Sequence, residues 1–552
     1  MKKHTVIKFV LSFLIAGNVF AQSLDEGKRH LYAQRYQSAK SVFEKLVSTN
    51  PNDLDAVYWL GQTYIETEDI PAAKSLYEKT LSTNGNAPIV LVGMGHVELY
   101  ENKKDMARQR FETALTMTVN KRKGNDPNIL NAIGRANADA KNGNLDYAVQ
   151  VLKEAAEKDS KNADILLNLG NAYRKKDPGK AGGEAYTSYQ TALKATPAFA
   201  IASYRTAKLF ETQKNWPVFL EHMNYALEKD PSFAPAYYDL YYYYLSRLDF
   251  TKAEEYAQKF IANSDANVDN KYLACQTLWA KKDYQGAISC SKAMIAEAAQ
   301  KGAKIKPTVH KLLAYSYVGA GDTAAGKEYI DRFFELEKPE NLVGADYELK
   351  ATVYSKIPGQ EDAVVQAIME GVKMDTVYSN KIATLKAGAA LFKAKGDRKR
   401  AGELLEAILK IAPNPNQRDV FDPGLEYYFS GSYPDAIRLF TQYTEKWPDE
   451  TFGWQWKFNT ERAIDTSMEQ GMFVPSGEKL LEVCYRDSVK NKTTILQTLA
   501  VLASYYVNIK NDLPKGLEYL KKYLYLDPEN AAIKENIGKL EKAIQGSKKP
   551  GT

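Results

Sequence analysis

Small, apolar and aromatic residues recur along this chain with a period of 34 residues. Three glycines stand one period apart, at Gly27, Gly61 and Gly95. Alanines keep the same step, and an aromatic ring follows each alanine by four residues, giving Ala39–Phe43, Ala73–Tyr77 and Ala107–Phe111. The same internal spacing returns far downstream as Gly424, Ala436, Phe440 and Pro448. Because the alternation typical of strands is almost absent, the pattern predicts a chain that is nearly all helix.

Each period predicts a hairpin of two antiparallel helices, A and B. The glycine late in helix A and the alanine early in helix B are small, so that the two backbones can approach there. The aromatic residue one turn later fills the space beside that contact. A proline such as Pro51 ends helix B, because it has no N–H to donate and clashes with the preceding turn. One hairpin cannot bury its apolar face alone, so neighbouring hairpins must stack.

This order of small, small, aromatic and proline residues resembles the tetratricopeptide repeat (TPR) family. The resemblance implies an all-α fold, a right-handed superhelix (an α-α solenoid) of about 12–13 hairpins. The length of 552 residues agrees with this, because it is too long for one compact core. A solenoid grows by adding repeats without enlarging any core.

The clarity of the repeats predicts three arrays in the mature chain. An N-terminal TPR array occupies 22–300 and ends in a small, basic stretch at 295–307, which we interpret as a flexible joint. A central, degenerate array follows at 301–412. A proline-rich break near 413–416 begins a C-terminal array at 413–552, which ends in a polar capping helix of the kind that terminal repeats need for solubility.

The first 21 residues have the pattern of a secretory signal peptide. Lys2, Lys3 and Lys8 give a basic start, an apolar run covers 9–15, and Ala21 offers a small residue for cleavage before Gln22. The apolar run is far shorter than the roughly 20 residues that span a bilayer. No cysteine follows it, which excludes the usual lipoprotein anchor. We therefore expect an exported bacterial protein, periplasmic or held peripherally at the outer membrane, with no transmembrane segment in the mature chain.

The charge of the chain is nearly balanced, with 74 Lys and Arg against 68 Asp and Glu. Removing the three leader lysines leaves 71 against 68, a mature net charge of about +3. This argues against a nucleic-acid partner. The histidines are isolated from each other and from the cysteines, so neither a metal site nor a catalytic constellation is predicted. We expect a protein that is not an enzyme and that needs no cofactor.

Two of the three cysteines fall within one predicted hairpin, Cys275 in helix A and Cys290 in helix B. They are placed to face each other, so a disulfide is possible in an oxidising compartment. Two buried small side chains are the alternative, because small residues belong at these positions. Cys484 has no obvious partner.

In TPR proteins, the side chains of helix A line the concave surface, and ligand contacts recur at fixed positions on it. The resemblance places Asn171, Arg174, Tyr204, Lys208, Tyr238 and Tyr242 at such positions. Tyr238 and Tyr242 are four residues apart and so share one helix face. Tyr204 and Lys208, one repeat earlier, are expected to extend that face and to give it a positive edge. The alternative is that these tyrosines pack neighbouring helices.

Three short segments resemble the Asp-[Ser/Thr]-apolar acceptor that some exported bacterial proteins use for O-glycosylation. The acceptor residues are Thr323, Thr376 and Ser488. Thr323 and Thr376 fall in predicted turns, which favours access.

Two classes of function fit these observations. The favoured one is a non-enzymatic interaction scaffold of the bacterial cell envelope that binds a protein or peptide partner in the concave groove. The alternative is a glycan-binding envelope protein on a TPR-like helical frame, since aromatic platforms also stack on sugars. The missing lipoprotein cysteine and the lack of long insertions favour the scaffold.

Overall fold

The computed structural model describes residues 23–179 and 182–547. Within these ranges the regular structure is helical, and one isolated bridge pairs Asn120 with Gly124. The all-α prediction is therefore confirmed. The predicted signal peptide at 1–21 lies outside the described residues.

The chain divides between Leu312 and Leu313 into two compact units. Sixteen α-helices lie in the first unit: α1 (Leu24–Tyr32), α2 (Tyr36–Thr49), α3 (Leu54–Glu66), α4 (Ile70–Thr83), α5 (Pro88–Tyr100), α6 (Lys104–Thr118), α7 (Pro127–Asp139), α8 (Leu145–Lys158), α9 (Ala163–Lys176), α10 (Gly182–Ala195), α11 (Ala200–Thr212), α12 (Trp216–Lys229), α13 (Ala234–Leu245), α14 (Phe250–Asn263), α15 (Tyr272–Ala280) and α16 (Tyr284–Gln300). The division falls inside α17 (Thr308–Ala320).

Twelve further helices lie in the second unit: α18 (Thr323–Leu336), α19 (Gly344–Tyr354), α20 (Glu361–Met374), α21 (Tyr378–Ala394), α22 (Arg398–Ile411), α23 (Gln417–Phe429), α24 (Tyr433–Lys446), α25 (Thr451–Ile464), α26 (Val474–Cys484), α27 (Lys492–Ser504), α28 (Leu513–Leu526) and α29 (Ala531–Ser547). The last of them covers the segment expected to cap the array. The division of the chain into three arrays stays a prediction.

Consecutive helices pack as hairpins, and the recurring glycine sets how closely they approach. A Cβ atom added to Gly27 would lie 2.4 Å from the ring of Phe43, and one added to Gly61 would lie 2.1 Å from the ring of Tyr77. Real Cβ atoms do not approach so closely. The ring four residues after each alanine therefore lies directly against the backbone of helix A, as the repeat spacing predicts.

The turn between helix A and helix B also repeats with the period. Gln34, Glu68 and Asn102 stand 34 residues apart, and each adopts the left-handed conformation with φ between 57° and 60°. The backbone N–H of the next residue then bonds to a carbonyl five residues back, as when Asp69 N donates to Tyr64 O. This hydrogen bond satisfies a carbonyl group at the end of helix A that has no partner within the helix.

The second unit uses the same contact. Gly424 packs against the ring of Phe440, where an added Cβ would lie at 2.9 Å, and Ala436 is fully buried. Five hairpins follow one another from α19–α20 to α27–α28. Ile537 of α29 joins the apolar cluster of Tyr519 and Leu520 in α28, so α29 covers the last hairpin.

The same Gly→Ala change should have opposite effects at two helical positions. Gly61→Ala forces a Cβ into the ring of Tyr77, and overpacking of this kind costs about 1–3 kcal/mol. Gly538 in α29 has no atom within 4 Å of the added Cβ, so Gly538→Ala should stabilise by up to about 1 kcal/mol through helix propensity. Denaturant unfolding followed by circular dichroism measures both. Equal tolerance of the two changes would contradict this account of the period.

Candidate functional site

The A helices of the first five hairpins pack in succession, α1 on α3, α3 on α5, α5 on α7 and α7 on α9. The first hairpin also reaches residues far along the chain. Tyr32, the last residue of α1, packs edge-on against Phe199 with ring centroids 5.8 Å apart. Its hydroxyl donates a hydrogen bond to Asp164 at the start of α9. The concave face of the early hairpins is therefore partly covered by the protein itself.

A buried ion pair lies at the centre of this contact. Arg135 of α7 donates to the Tyr32 hydroxyl at 2.7 Å and to Asp164 Oδ1 at 3.1 Å, and its guanidinium lies 4.3 Å from the ring centroid of Trp59. Burial alone would raise the pKa of Asp164. Arg135 and the hydrogen bonds to the carboxylate outweigh burial and hold that pKa below its ordinary value. We call these three residues, Tyr32, Arg135 and Asp164, the closing network.

A second contact ties the first hairpin to the segment after α14. The carboxylate of Asp265 accepts from the backbone N–H of Gln37 at 2.6 Å and from the Ser38 hydroxyl at 2.5 Å. The first turn of α2 has no cap from its own N-cap residue, Arg35. Asp265 therefore satisfies exposed donors there, and its charge suits the positive end of the helix dipole.

Beside the closing network lies an open polar cavity of about 240 Å³, which we call the inner cavity. Five of its residues occupy one repeat position, five residues after the glycine of successive A helices. They are Tyr32, Glu66, Tyr100, Asp139 and Lys175. The other polar residues of its wall are Gln34, Tyr36, Arg135, Asn168, Asn171 and Arg205. The side chains at one position of successive repeats therefore line the same cavity.

The acidic residues of the inner cavity differ in their environments. Lys175 Nζ lies 2.9 Å from Asp139 Oδ1. Burial would raise the pKa of Asp139, but Lys175 and Arg135 outweigh it and hold the pKa below its ordinary value. Partial desolvation, reinforced by the charge of Asp139, instead raises the pKa of Glu66, although the residue is exposed to the solvent of the cavity.

A polar chain stiffens the helices behind the cavity. Tyr77 donates to the carbonyl of Tyr58 at 2.8 Å, Gln62 Nε2 donates to the Tyr77 hydroxyl at 3.1 Å, and Gln62 Oε1 lies 3.0 Å from His96 Nδ1. With the amide nitrogen engaged, Gln62 Oε1 accepts from His96, so the imidazole carries its proton on Nδ1. Burial lowers the pKa of His96 to about 4, and the ring is therefore neutral.

The first two predicted groove residues lie near this cavity. Asn171 is among its lining residues and accepts a hydrogen bond from the Tyr189 hydroxyl at 2.9 Å. Arg174 does not line it and lies beside the hydroxyl of Tyr189.

Tyr204 and Lys208 differ from the expectation of an exposed face with a positive edge. Tyr204 is buried, with its ring 5.4 Å from that of Phe233, because α11 packs against the start of α13 at this level. Lys208 pairs with Asp239 at 3.0 Å and also with Glu211. Its charge is therefore neutralised within the fold.

Tyr238 and Tyr242 do share one face of α13, as expected. Their ring centroids lie 5.0 Å apart, and Phe260 of α14 lies 5.4 Å from Tyr238. Tyr238 is 40% exposed, whereas Tyr242 is half-buried and donates its hydroxyl proton to Gln276 at 3.1 Å. We call these three rings, Tyr238, Tyr242 and Phe260, the tyrosine surface. Their role in binding stays a prediction.

The structure joins Cys275 to Cys290 by a disulfide that connects α15 to α16, with Cα atoms 5.4 Å apart. The spacing left a disulfide and two separate buried thiols as alternatives, and the structure has the disulfide. Cys484 is a buried free thiol.

The three acceptor residues proposed for glycosylation lie at or between helix ends. Thr376 is exposed between α20 and α21, Ser488 is half-buried in the turn after α26, and Thr323 is the first residue of α18. Modification at these positions stays a prediction.

Sequence reasoning missed the closing network and most of the inner cavity. The signal was present in part, because the residue five places after each repeat glycine changes from Tyr32 to Glu66, Tyr100, Asp139 and Lys175. The period identifies the shared position. It does not indicate that these side chains meet.

Two general features complete the description. Among the residues that the structure describes, no group of three or more His, Cys, Asp or Glu side chains is placed to hold a metal ion. Within the same ranges no helix combines the length and the apolar character needed to cross a membrane.

Breaking the closing network should destabilise the first unit. Arg135→Met leaves Asp164 as a buried charge without its partner, and such changes cost about 3–5 kcal/mol. Adding Asp164→Asn should recover part of the loss, because neighbouring substitutions are not additive. The folded-state pKa of Asp164 is depressed, so its contribution is complete above the unfolded-state pKa of about 4 and is lost as the pH falls further, through the lower folded-state pKa.

Urea unfolding at pH 7 and at pH 3 measures these differences. The difference in the free energy of unfolding between the native chain and Arg135→Met should be smaller at pH 3 than at pH 7. A single variant that unfolds within about 0.5 kcal/mol of the native chain at pH 7, as a surface change would, speaks against the network.

Parts of the chain are similar to proteins of known structure. A search of the curated proteins found no match. Among solved structures, the C-terminal part of a TPR repeat-containing protein from Cytophaga hutchinsonii is 23% identical, with 48% of this chain and 98% of that one covered and a TM-score of 0.27. A tetratricopeptide repeat protein from Parabacteroides merdae is 19% identical over 47% of this chain and 97% of that one, with a TM-score of 0.39.

Family models match the first unit directly. Models described as tetratricopeptide repeat match residues 30–92 and 182–232, and one described as TPR repeat matches residues 136–177. These segments contain the glycine, alanine and aromatic positions that pack the hairpins in the structure. The chain is a tetratricopeptide repeat protein.

Proposed function

We propose that this protein is a non-enzymatic interaction scaffold of the bacterial cell envelope, and that a segment of a protein partner docks on the tyrosine surface. Stacked TPR hairpins commonly provide extended surfaces for protein partners. The observation that carries the proposal is the exposure of Tyr238 beside a second, hydrogen-bonded tyrosine and Phe260.

The chemistry of the tyrosine surface favours a partner segment with an apolar or aromatic anchor. Tyrosine buries a large amphipathic area at low cost in side-chain entropy. Tyr242 is fixed by its hydrogen bond to Gln276, so it already holds one orientation before binding. Lys208 is paired with Glu211 and Asp239, so an acidic anchor gains little from it.

The concave face of the early hairpins is a poorer place for a peptide. Tyr32 and the closing network occupy part of it between α1 and α9, and the inner cavity of about 240 Å³ is too small for an extended segment. A larger open cleft of about 690 Å³ lies beside Tyr32 and Asp164 and is bordered by Phe233. The rings on α13 and α14 are the better docking position because Tyr238 is exposed, whereas Phe233 at the larger cleft is buried.

Export is the second part of the proposal. It is supported by the basic start, the short apolar run and Ala21, and by the disulfide between Cys275 and Cys290, since disulfides persist in oxidising compartments. The expected mature protein begins at Gln22. Intact mass measurement on protein from an envelope fraction of the native host tests this, and a functional protein that retains Met1 would contradict it.

Substitutions on the tyrosine surface should weaken partner capture without unfolding the chain. Tyr238→Ala removes an exposed ring, so its effect on the free energy of unfolding should stay within about 0.5 kcal/mol. Loss of a central aromatic anchor commonly costs about 2 kcal/mol of binding, a roughly 30-fold weaker Kd. Adding Tyr242→Ala should weaken capture further. Tyr242→Phe keeps the ring and removes only the hydrogen bond to Gln276.

Tyr525→Ala is the matched control, because Tyr525 is 84% exposed and lies in the second unit. Each variant serves as bait in an envelope extract, and bound proteins are compared by mass spectrometry, with melting temperatures measured in parallel. A partner lost with Tyr238→Ala and kept with Tyr525→Ala supports the proposal. Equal capture by both variants overturns it, and binding of a purified glycan that Tyr238→Ala abolishes would favour the glycan-binding alternative.

A further inference from the structure

The inner cavity has no part in the proposed docking on the tyrosine surface, yet its side chains are arranged like those of a ligand site. We propose that it binds a small zwitterion of amino-acid size, with the ligand carboxylate at Arg205 and the ligand ammonium group at Glu66. The proposal stands on the charges that line the cavity and on which of them are already paired.

Arg205 is the unsatisfied cation of the cavity. It lines the cavity and is half-buried, and its Nε is buried without a hydrogen-bond partner. Within the described parts of the chain its guanidinium makes no ion pair, and its one defined contact is with the ring of Tyr204 at 5.8 Å. A guanidinium offers a planar fork of donors that matches a carboxylate.

Glu66 is exposed to the solvent of the cavity, and among the described residues it is the lining anion without an ion-pair partner. It ends α3 on the wall of the cavity, and no cation lies within ion-pair distance of it among the described residues. Arg205 and Lys175 act on its carboxylate only through space, and partial desolvation together with Asp139 raises its pKa. A bound ammonium group would supply the missing countercharge and up to three donors.

The other charges of the cavity are already engaged and serve as a frame. Lys175 pairs with Asp139 at 2.9 Å, and Arg135 pairs with Asp164 at 3.1 Å. Among the described residues that line the cavity, one cation and one anion without an ion-pair partner therefore remain. A simple anion would satisfy Arg205 but would be repelled by Glu66, whereas a dipolar ligand satisfies both.

The size and the remaining walls fit such a ligand. The volume of about 240 Å³ corresponds to roughly eight water molecules at about 30 Å³ each. Tyr36 and Tyr100 border the cavity with their rings, and burial raises the pKa of each hydroxyl to about 12, so both stay protonated and able to donate. Asn171 uses its Oδ1 for Tyr189, which leaves its amide N–H groups to face the cavity.

The test uses the mature full-length chain and the twenty L-amino acids as probes, first by thermal shift and then by isothermal titration calorimetry. At least one amino acid should bind, and the matching carboxylic acid without the amine and the amine without the carboxylate should each bind at least about tenfold more weakly. Arg205→Gln and Glu66→Gln should each weaken binding about 10- to 100-fold. Arg205→Lys should weaken binding less, because it keeps the positive charge and removes only the planar pair of guanidinium donors.

Arg108→Gln and Glu157→Gln are the matched controls, because neither residue lines the cavity. Circular dichroism and melting temperature establish that each variant is folded. If Arg205→Gln does not fold, Arg205→Lys replaces it in the binding test. Binding by none of the amino acids overturns the proposal. So does binding that survives both cavity substitutions, or a carboxylic acid that binds as tightly as its amino acid. Partner capture through Tyr238 should be unchanged in Arg205→Gln, so this proposal and the docking proposal fail separately.

Discussion

The contact between a backbone glycine and an aromatic ring is the constraint on which this structure depends. At Gly27, Gly61 and Gly95, the ring from helix B occupies the position that a Cβ atom would need. This fixes the separation and the rotation of the two helices in each hairpin. Where the glycine recurs, the hairpin geometry follows from a contact that spans only 16 residues of sequence, as between Gly27 and Phe43.

The closing network buries side chains that would lie on the surface of an open array of repeats. Solenoid repeats contact mainly their neighbours, and their stability is then close to a sum of local terms. Here Tyr32 in the first hairpin meets Arg135 and Asp164 in the fourth and fifth, and Asp265 caps α2 from beyond the seventh. These contacts of high sequence separation make the early hairpins depend on one another, and they convert a groove into a small polar cavity.

The two proposed sites use different consequences of the same frame. The tyrosine surface exists because α13 carries more aromatic residues than its packing needs, so that Tyr241 is fully buried while Tyr238 stays exposed. The inner cavity exists because one repeat position carries tyrosines and charged residues on successive hairpins, and the closing network holds them together. The repeats supply the frame, and the variable positions supply the chemistry.

The sequence by itself determined the hairpins. The spacing of Gly61, Ala73 and Tyr77 encodes a short-range contact, so the period alone predicts two helices, their approach and the ring between them. It also placed Tyr238 and Tyr242 on one face, because residues four apart on a helix are neighbours. Only the tertiary structure decided that Tyr204 is buried, that Lys208 is paired, and that Arg135 lies against Tyr32. Those outcomes depend on small rotations of each hairpin relative to the next. The rotations accumulate over several hairpins, so the spacing of residues within one repeat does not predict the total.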